Sequence, residues 1–500
     1  MAEMGRGLAK RSIVGMFWTA LSMGALALAE LVALLVLARL LSSQEFGLYA
    51  AALVIIKFSA IFQGLGVAPA IVQRTVLEER HLRVGFTLST LLGLVVAVLV
   101  WVTAPTIETL MRLPGLAPIV RATCLVFLWQ GVSTVSLACA QRALRFRWLA
   151  GVDAFTFAAG FMGVGLVLAW LGFGVWALVG GLLAQNFLRM VVLLAGQPHP
   201  FRPMLERRAI GELLYFGGGF TLARVFNYLA TQIDKLIVGR WLGAEALGLY
   251  SLASQFMTQP AVIFGQILDR VLFPTMAIVQ EDPARLARAY RSGVATCALI
   301  VLPASIVIAI VAPELILVLL GKGWQGMVGP FQILALGMLF RTSYKISDTG
   351  VRATGAVYAR AWRQAIFVIA VAAASLAGLP WGVEGVAIGG VAAITLNFIL
   401  MAQLSLRLTG LRWSEFVAVH VPGIALSIVI GASVWALVDW LRAIHVSPLV
   451  LLVEVGVLAA IEALLLCWLL PALFLGQDGR SVLRVLMTLA PPRLQRRPPV

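Results

Sequence analysis

Long apolar stretches follow one another along almost the whole chain, and short polar connectors separate them. Fourteen stretches reach the length of about 20 residues that a helix needs to cross a hydrocarbon core of about 30 Å. They are continuous, whereas a membrane β-barrel would show shorter segments that alternate apolar and polar residues. The pattern predicts an all-α polytopic membrane protein with 14 transmembrane helices. The predicted helices are 13–38, 46–69, 84–106, 119–140, 150–171, 174–196, 212–238, 248–272, 292–313, 330–350, 361–379, 383–406, 416–440 and 449–475.

The first of these segments follows a basic stretch, as the apolar region of a secretory signal peptide would. Its apolar character continues past Glu30 to Leu41, which makes it long enough to span a bilayer. We therefore expect an uncleaved first transmembrane helix.

A short motif occurs twice in the chain, with a shift of 201 residues. Residues 37–49 read LARLLSSQEFGLY, and residues 238–250 read VGRWLGAEALGLY. Each copy ends one apolar segment and begins the next, so the repeat predicts a chain built from two similar halves. The recurring motif residues are Arg39, Gly47 and Tyr49 in the first copy and Arg240, Gly248 and Tyr250 in the second.

Six predicted helices separate the two copies, so the two halves should have the same orientation in the membrane. We therefore predict two pseudo-symmetric six-helix lobes related by an axis along the membrane normal, with a cleft between them. The N-terminal lobe is predicted to cover 1–205 and the C-terminal lobe 206–410. Residues 411–500 add two helices without a partner in the repeat and a basic cytoplasmic tail.

The composition excludes a soluble protein, because 61% of the residues are hydrophobic, 12% are charged and the mean hydropathy is +0.98. Membrane topology explains the net charge of +16, since basic residues collect in cytoplasmic loops. Alternate loops, counted from the N-terminus, hold 26 of the Lys and Arg residues, and the opposite loops hold six. Both termini are thus predicted to be cytoplasmic, and no nucleic-acid partner is expected.

Apart from the residues counted with the loops, six basic residues lie inside the predicted helices, where each costs about 2.5–3.5 kcal/mol at the bilayer centre. Arg189 and Lys235 are close enough to helix ends for their side chains to extend to the interface. Lys57, Arg224 and Arg341 lie deeper, so their presence within the bilayer needs another explanation. The six residues are Lys57, Arg189, Arg224, Lys235, Arg341 and Lys345.

Charged residues follow one face of the tenth predicted helix, where Arg341, Lys345 and Asp348 fall at i, i+4 and i+7. A similar stripe on the seventh helix runs from Arg224 to Lys235. Two such helices would line a polar, net-positive cavity, because cations outnumber anions on both faces. The alternative is a set of internal ion pairs that stabilise packing. The predicted substrate-binding residues are Arg224, Arg341, Lys345, Lys57 and Lys235, and the ion-coupling candidates are Glu30, Asp234 and Asp348.

Glu30 lies well inside the first predicted helix. A buried glutamate is a candidate proton or cation site. A structural partner for Lys57 is an equally open interpretation.

Signatures of enzymes are absent from the sequence. The four histidines are scattered and form no HExxH pattern, and the glycine-rich stretches lack the spacing of a phosphate-binding loop. The four cysteines lie in apolar segments without the spacing of metal ligands. We therefore predict no catalytic residues, no metal and no cofactor.

Four stretches carry a resemblance to known proteins. They are LARLLSSQEFGLYAAALVI (37–55), IDKLIVGRWLGAEALGLYSLA (233–253), RVLFPTMAIVQEDPARLARAY (270–290) and PELILVLLGKGWQGMVGPFQILAL (313–336). In these stretches the chain resembles the polysaccharide flippases of the Wzx type, within the multidrug/oligosaccharidyl-lipid/polysaccharide exporter superfamily. The likeness runs in collinear order over about residues 10–410.

The resemblance implies a transporter in the bacterial inner membrane. It would move oligosaccharide linked to undecaprenyl diphosphate from the cytoplasmic to the periplasmic leaflet by alternating access, for surface polysaccharides such as lipopolysaccharide or exopolysaccharide. The expected partners are the lipid-linked oligosaccharide and the lipid bilayer, with a polysaccharide polymerase and other assembly proteins as further candidates. Without a nucleotide motif, an ion gradient, the membrane potential or later polymerisation would drive transport.

Two other classes stay open at this point. A small-molecule or drug exporter of the same superfamily would be expected to have an acid-rich cavity, which the sequence does not show. A membrane-embedded polymerase or glycosyltransferase would need a large periplasmic loop, and the longest connector here, roughly 273–291, is short, basic and predicted to be cytoplasmic. A membrane scaffold would not need buried cations.

Overall fold

The structure, a computed structural model, describes residues 29–64, 66–74 and 77–476. These residues form helices joined by short connections, and no strand occurs among them. Helices suit a bilayer because each backbone N–H and C=O group is bonded within its own segment. The part of the first predicted helix before residue 29 lies outside the described residues.

Contacts within the chain define two compact units, unit 1 (Met1–Gly248) and unit 2 (Leu249–Val500). These units are defined by contacts, whereas the predicted lobes are defined by the internal repeat of the sequence. The lobe boundaries derived from the repeat therefore remain a prediction.

The described part of unit 1 begins with helical residues 29–40 (α1), and a segment of π-helix at Phe157–Val164 joins α7 to α8. The following helices are α2 (Ser43–Gly64), α3 (Val67–Gln73), α4 (Glu79–Met111), α5 (Leu116–Thr123), α6 (Leu125–Arg142), α7 (Phe146–Thr156), α8 (Gly165–Trp170) and α9 (Val175–Gly196). Helix α10 (Arg207–Ile278) starts in unit 1 and runs on into unit 2. Its backbone departs from helical geometry at Gly243, where φ is 89° and ψ is −177°.

Unit 2 continues with helices that are interrupted by 3₁₀ turns at Lys322–Met327 and Leu379–Trp381. Its helices are α11 (Pro283–Ile310), α12 (Ala312–Leu319), α13 (Val328–Leu336), α14 (Met338–Ala353), α15 (Val357–Gly378), α16 (Gly382–Thr409), α17 (Trp413–Ala443), α18 (Pro448–Leu469) and α19 (Pro471–Phe474).

The second predicted helix, 46–69, is broken in the structure. Helix α2 ends at Gly64, and α3 begins at Val67 after Gly66, whose φ of 72° lies in the left-handed region. Glycine adopts that conformation without the steric penalty that a Cβ atom would add. The apolar run was continuous in sequence, so its hydrophobicity alone gave no sign of this break.

Apolar side chains fill the interior of each unit. In unit 1, Val67, Val84 and Val135 from α3, α4 and α6 are fully buried against one another. In unit 2, Ile346 and Phe398 from α14 and α16 belong to a larger buried cluster. Because lipid tails are as apolar as these cores, close packing rather than transfer from water holds such helices together in a membrane.

Among the described residues, nine helical stretches are long and apolar enough to cross a membrane. Large apolar side chains also face outward, as on α18, where Leu464 and Trp468 are 72% and 69% exposed. A soluble surface would not carry so many such residues, whereas a lipid-facing surface requires them. The chain is therefore a multi-pass membrane protein.

Candidate functional site

Helix α14 separates an apolar face from a polar face. Met338, Leu339 and Ile346 are buried in the core of unit 2, while Arg341 and Lys345 lie one turn apart on another side of the helix. The polar face turns towards the second half of α10.

Contacts with α10 fix both basic side chains. Arg341 Nη1 donates a hydrogen bond of 2.7 Å to Thr258 Oγ1. The Lys345 stem passes over Gly265, where an ideal Cβ atom would lie 3.6 Å from Lys345 Cδ. The ammonium of Lys345 lies 5.1 Å from the centre of the Tyr344 ring.

No carboxylate among the described residues lies within ion-pair distance of Arg341 or Lys345. Two like charges at i and i+4 on a helix repel each other and destabilise it. Their positive charge is therefore left without a described anionic neighbour, which suits the binding of an anion.

Asp348, an ion-coupling candidate, is engaged by two arginines. Its carboxylate accepts from Arg352 Nε at 3.1 Å and from Arg360 Nε at 2.5 Å, and its side chain is 13% exposed. Arg352 also stacks over the Phe273 ring at 5.7 Å. This arrangement ties α14 to α15 and engages Asp348 with arginines other than Arg341.

Lys57 and Glu30 are electrostatic partners in unit 1, on α2 and α1. Both side chains are exposed at the surface of the unit. Next to Lys57, Phe58 lies against the Tyr228 ring of α10, and Tyr228 donates a hydrogen bond of 2.8 Å to the carbonyl of Val54. The interpretation of Glu30 as a partner of Lys57 stays a prediction.

The remaining predicted site residues lie on the first half of α10. Asp234 Oδ1 accepts a hydrogen bond of 2.8 Å from the backbone N–H of Lys235, and both side chains are half-buried. The side chain of Arg224 lies outside the described part of the structure. The roles of all these residues in substrate binding or ion coupling stay predictions.

The two copies of the repeated motif contact each other within unit 1. An ideal Cβ atom on Gly47 would lie 1.7 Å from the carbonyl oxygen of Ala244, and one on Gly248 would lie 1.9 Å from that of Ser43. Ser43 and Ala244 are themselves equivalent positions of the repeat. The two backbones therefore cross at a distance that only glycine allows at both positions. We call this contact the glycine crossing.

The other motif residues have structural surroundings of their own. Tyr49 and Tyr250 are buried, at 8% and 1% exposure, and therefore pack as parts of the two helices that bear them. Arg39 is exposed, and the Arg240 guanidinium lies 5.6 Å from the centre of the Trp241 ring. These contacts favour an architectural role for the motif.

Two of the basic residues counted in the opposite loops have local partners in the structure. The Arg121 guanidinium stacks 4.7 Å above the Trp101 ring. Arg442 forms two hydrogen bonds with the Glu314 carboxylate, at 2.7 and 2.9 Å. Pairing with a carboxylate and stacking on an aromatic ring stabilise these two arginines on whichever side of the membrane they lie.

The chain is similar to known proteins in sequence and in fold. The family profile described as polysaccharide biosynthesis protein matches residues 36–329. The lipopolysaccharide biosynthesis protein WzxC of Escherichia coli is 27% identical over 337 residues, which are 67% of this chain and 68% of WzxC. The succinoglycan biosynthesis transport protein ExoT of Rhizobium meliloti is 27% identical over 58% of each chain.

Among solved structures, the lipid II flippase MurJ in an inward closed conformation is similar with a TM-score of 0.73 at 13% identity. The superposition covers 94% of this chain and 99% of that one, which shows a shared fold. The resemblance predicted from the four stretches of sequence is confirmed by the family match. Since that match spans more than half of the residues, the chain belongs to the polysaccharide biosynthesis protein family.

Proposed function

We propose that this chain is a flippase for an oligosaccharide linked to undecaprenyl diphosphate. It moves this lipid from the cytoplasmic to the periplasmic leaflet of the bacterial inner membrane, for the synthesis of a surface polysaccharide. Family membership, the transport role in the name of ExoT and the flippase fold of MurJ support the proposal. The observation that carries it in this chain is a pair of cations, Arg341 and Lys345, on one face of α14 without an anionic partner among the described residues.

A diphosphate headgroup cannot enter a bilayer without a substitute for its water shell. Arginine offers several N–H donors in a planar fork, and lysine offers a compact positive charge. In α14 the two groups occur together, and neither has an anionic partner among the described residues. Arg341 and Lys345 therefore bind the diphosphate.

The finer topology belongs to the same proposal. Fourteen helices cross the membrane with both termini in the cytoplasm, and the two six-helix lobes rock about the cationic site in alternating access. The chain performs no covalent chemistry. Polymerase and other assembly proteins act on the lipid-linked product after it has crossed.

The test is a flip assay in proteoliposomes that contain undecaprenyl-diphosphate-linked oligosaccharide. Arg341→Ala together with Lys345→Ala is expected to lower the initial rate at least about tenfold, because charged hydrogen bonds contribute roughly 1.5–3 kcal/mol each. Arg341→Lys should retain part of the rate, since charge survives while the fork of donors is lost.

The matched control removes two cations from exposed positions outside the predicted bilayer, with Lys322→Ala and Arg288→Ala. It should flip at the normal rate. Normal flipping by the α14 double variant would overturn the cationic site. If the wild-type protein flipped no lipid-linked oligosaccharide but expelled a small hydrophobic dye, the exporter alternative would replace this function.

A further inference from the structure

Unit 1 contains a polar cavity of about 260 Å³ that the proposed cationic site does not include. It lies where the end of α2 and the start of α3 meet α6 and α9. Its polar and glycine lining comprises Gln63, Gly64, Gln130, Thr134, Asn186 and Arg189. The C-terminal halves of the second, fourth and sixth predicted helices supply these residues, which is the side that the loop charges assign to the cytoplasm.

Gln63 is the residue that points to a ligand. It is only 4% exposed, and its Nε2 group is buried without a hydrogen-bond partner among the described residues. A buried amide that makes no bond costs free energy, and native structures rarely retain one without a reason. Gln63 therefore holds an unused donor in the wall of the cavity, and a turn of its carboxamide would bring that donor to a ligand.

The other polar groups of the cavity are held in place by one another. Gln130 Nε2 donates to Asn186 Oδ1 at 3.1 Å, and Asn186 Nδ2 donates to the carbonyl of Leu182 at 2.8 Å. Thr134 Oγ1 donates to the carbonyl of Gln130 and can still accept a bond. The site is thus organised before any ligand arrives.

The cavity carries no uncompensated charge from its lining. Arg189 is paired with Asp153 at 3.0 Å, and its buried Nε has no acceptor among the described residues. The lining is therefore rich in donors and acceptors but electrically balanced. Such a surface disfavours a free anion or cation and suits a neutral ligand with many hydroxyl groups.

The volume limits the size of that ligand. A water molecule occupies about 30 Å³ in the liquid, so the cavity has room for roughly eight or nine waters. One sugar ring fits in that space.

We propose that this cavity binds a single uncharged sugar residue of the transported molecule, with Gln63 as its main donor. The assignment rests on the proposed function, because it takes the sugar to be part of the lipid-linked oligosaccharide. The cavity holds the neutral glycan end, and the cations of α14 hold the charged headgroup.

Saturation-transfer NMR on the full chain in nanodiscs tests the cavity without any transport. The probes are the methyl glycosides of glucose, galactose and N-acetylglucosamine, with glucuronic acid and glucosamine as charged comparisons. At least one neutral glycoside should bind, and the charged sugars should bind more weakly. Gln63→Leu should weaken binding by roughly tenfold, since it removes a buried donor.

Gly64→Leu provides a second variant that fills the cavity. An ideal Cβ atom on Gly64 meets nothing within 4 Å, so the new side chain enters open space and is expected to abolish binding. The matched control is Gly151→Leu, at an exposed helical glycine that also meets nothing within 4 Å and lies outside the cavity. It should bind like the wild type.

Binding that survives Gly64→Leu would show that the glycoside binds elsewhere, and a wild type that binds none of the neutral glycosides would show that the cavity holds water only. Either result would overturn this proposal. The flip assay separates it from the proposed function. Loss of glycoside binding with normal flipping in Gly64→Leu would refute the sugar site as part of transport while the flippase function stands. Glycoside binding in a protein that flips no lipid would refute the transport function alone.

Discussion

Several arginine side chains of unit 1 fasten helix ends. Arg142 Nη1 donates to the carbonyl of Ile71 at 3.1 Å, and Arg145 Nη1 donates to that of Gly196 at 2.8 Å. Both carbonyls lie in the last turn of a helix, where C=O groups have no partner within the helix and the helix dipole favours a cation. In contrast, Arg341 and Lys345 of unit 2 cap no helix end. The role of a basic residue in this chain can therefore be inferred only after its local partner has been identified.

The glycine crossing yields a prediction at the scale of one methyl group. Gly47→Ala would place a Cβ atom 1.7 Å from the carbonyl oxygen of Ala244, so one backbone must move. Overpacking of this kind costs about 1–3 kcal/mol. We expect the thermal midpoint of the purified protein to fall, and Gly248→Ala to have a similar effect.

Gly151→Ala is the control for this measurement. Gly151 lies inside α7 with nothing within 4 Å of an ideal Cβ atom. There the substitution should leave the midpoint unchanged or raise it, by up to about 1 kcal/mol of stability. A Gly47→Ala protein that melts with the wild type would show that the backbones do not cross so closely.

At the scale of elements, the connector between α9 and α10 is held by a buried histidine. The His199 ring packs against Phe86 and Phe201, with ring centres 5.1 and 4.7 Å apart, and it is 7% exposed. Burial lowers the pKa of His199, and hydrogen bonds to the carbonyls of Pro200 and Val132 offset part of that effect. The connector therefore depends on a neutral imidazole.

This burial gives the stability a pH dependence. In the unfolded chain the ring takes up a proton near its ordinary pKa of about 6.5, whereas the folded protein does so only at lower pH. The unfolded state thus binds more protons over that window, and stability is lost as pH falls below about 6.5. The thermal midpoint should drop between pH 7.5 and pH 5.5. His199→Phe keeps a ring but cannot titrate, so it should reduce the drop. An equal drop in both proteins would contradict the assignment to His199.

Helix positions were predictable from apolar length, because a bilayer demands long uninterrupted runs. The break at Gly66 was not, since it depends on the backbone angles of a single residue within an apolar run. The departure from helical geometry at Gly243 falls in the predicted connector between helices 212–238 and 248–272. A capping box starts α2, where Ser42 and Glu45 exchange hydrogen bonds. It follows the S-x-x-E pattern and could have been predicted from the sequence.

The candidate site was predictable in part. The face of Arg341 and Lys345 follows from helical spacing within one segment. The pairing of Asp348 with Arg360 depends on how α15 packs against α14. The polar cavity was missed because Gln63, Gln130 and Asn186 each occur alone on a different apolar helix, and only tertiary packing brings such residues together.

At the scale of the whole molecule, the predicted orientation can be tested by labelling. In a background without the four native cysteines, Gln325→Cys and Glu281→Cys place single thiols in exposed connectors on opposite predicted sides. A maleimide that does not cross membranes should label Gln325→Cys in intact spheroplasts. It should reach Glu281→Cys only after lysis, because the loop with excess Arg faces the cytoplasm. The reverse pattern would invert the topology.

The glycine crossing has a consequence for the origin of the chain. Position 43 of one copy meets position 248 of the other, and position 47 meets position 244, so each copy contributes the same two surfaces. This reciprocal contact has the isologous pattern of a two-fold symmetric dimer, but here both copies belong to a single polypeptide. A half-length ancestor that paired with itself through this motif would have had the contact before its gene was duplicated and fused. Neither glycine could then have been replaced alone, because a Cβ atom at either position would clash with a backbone carbonyl of the other copy.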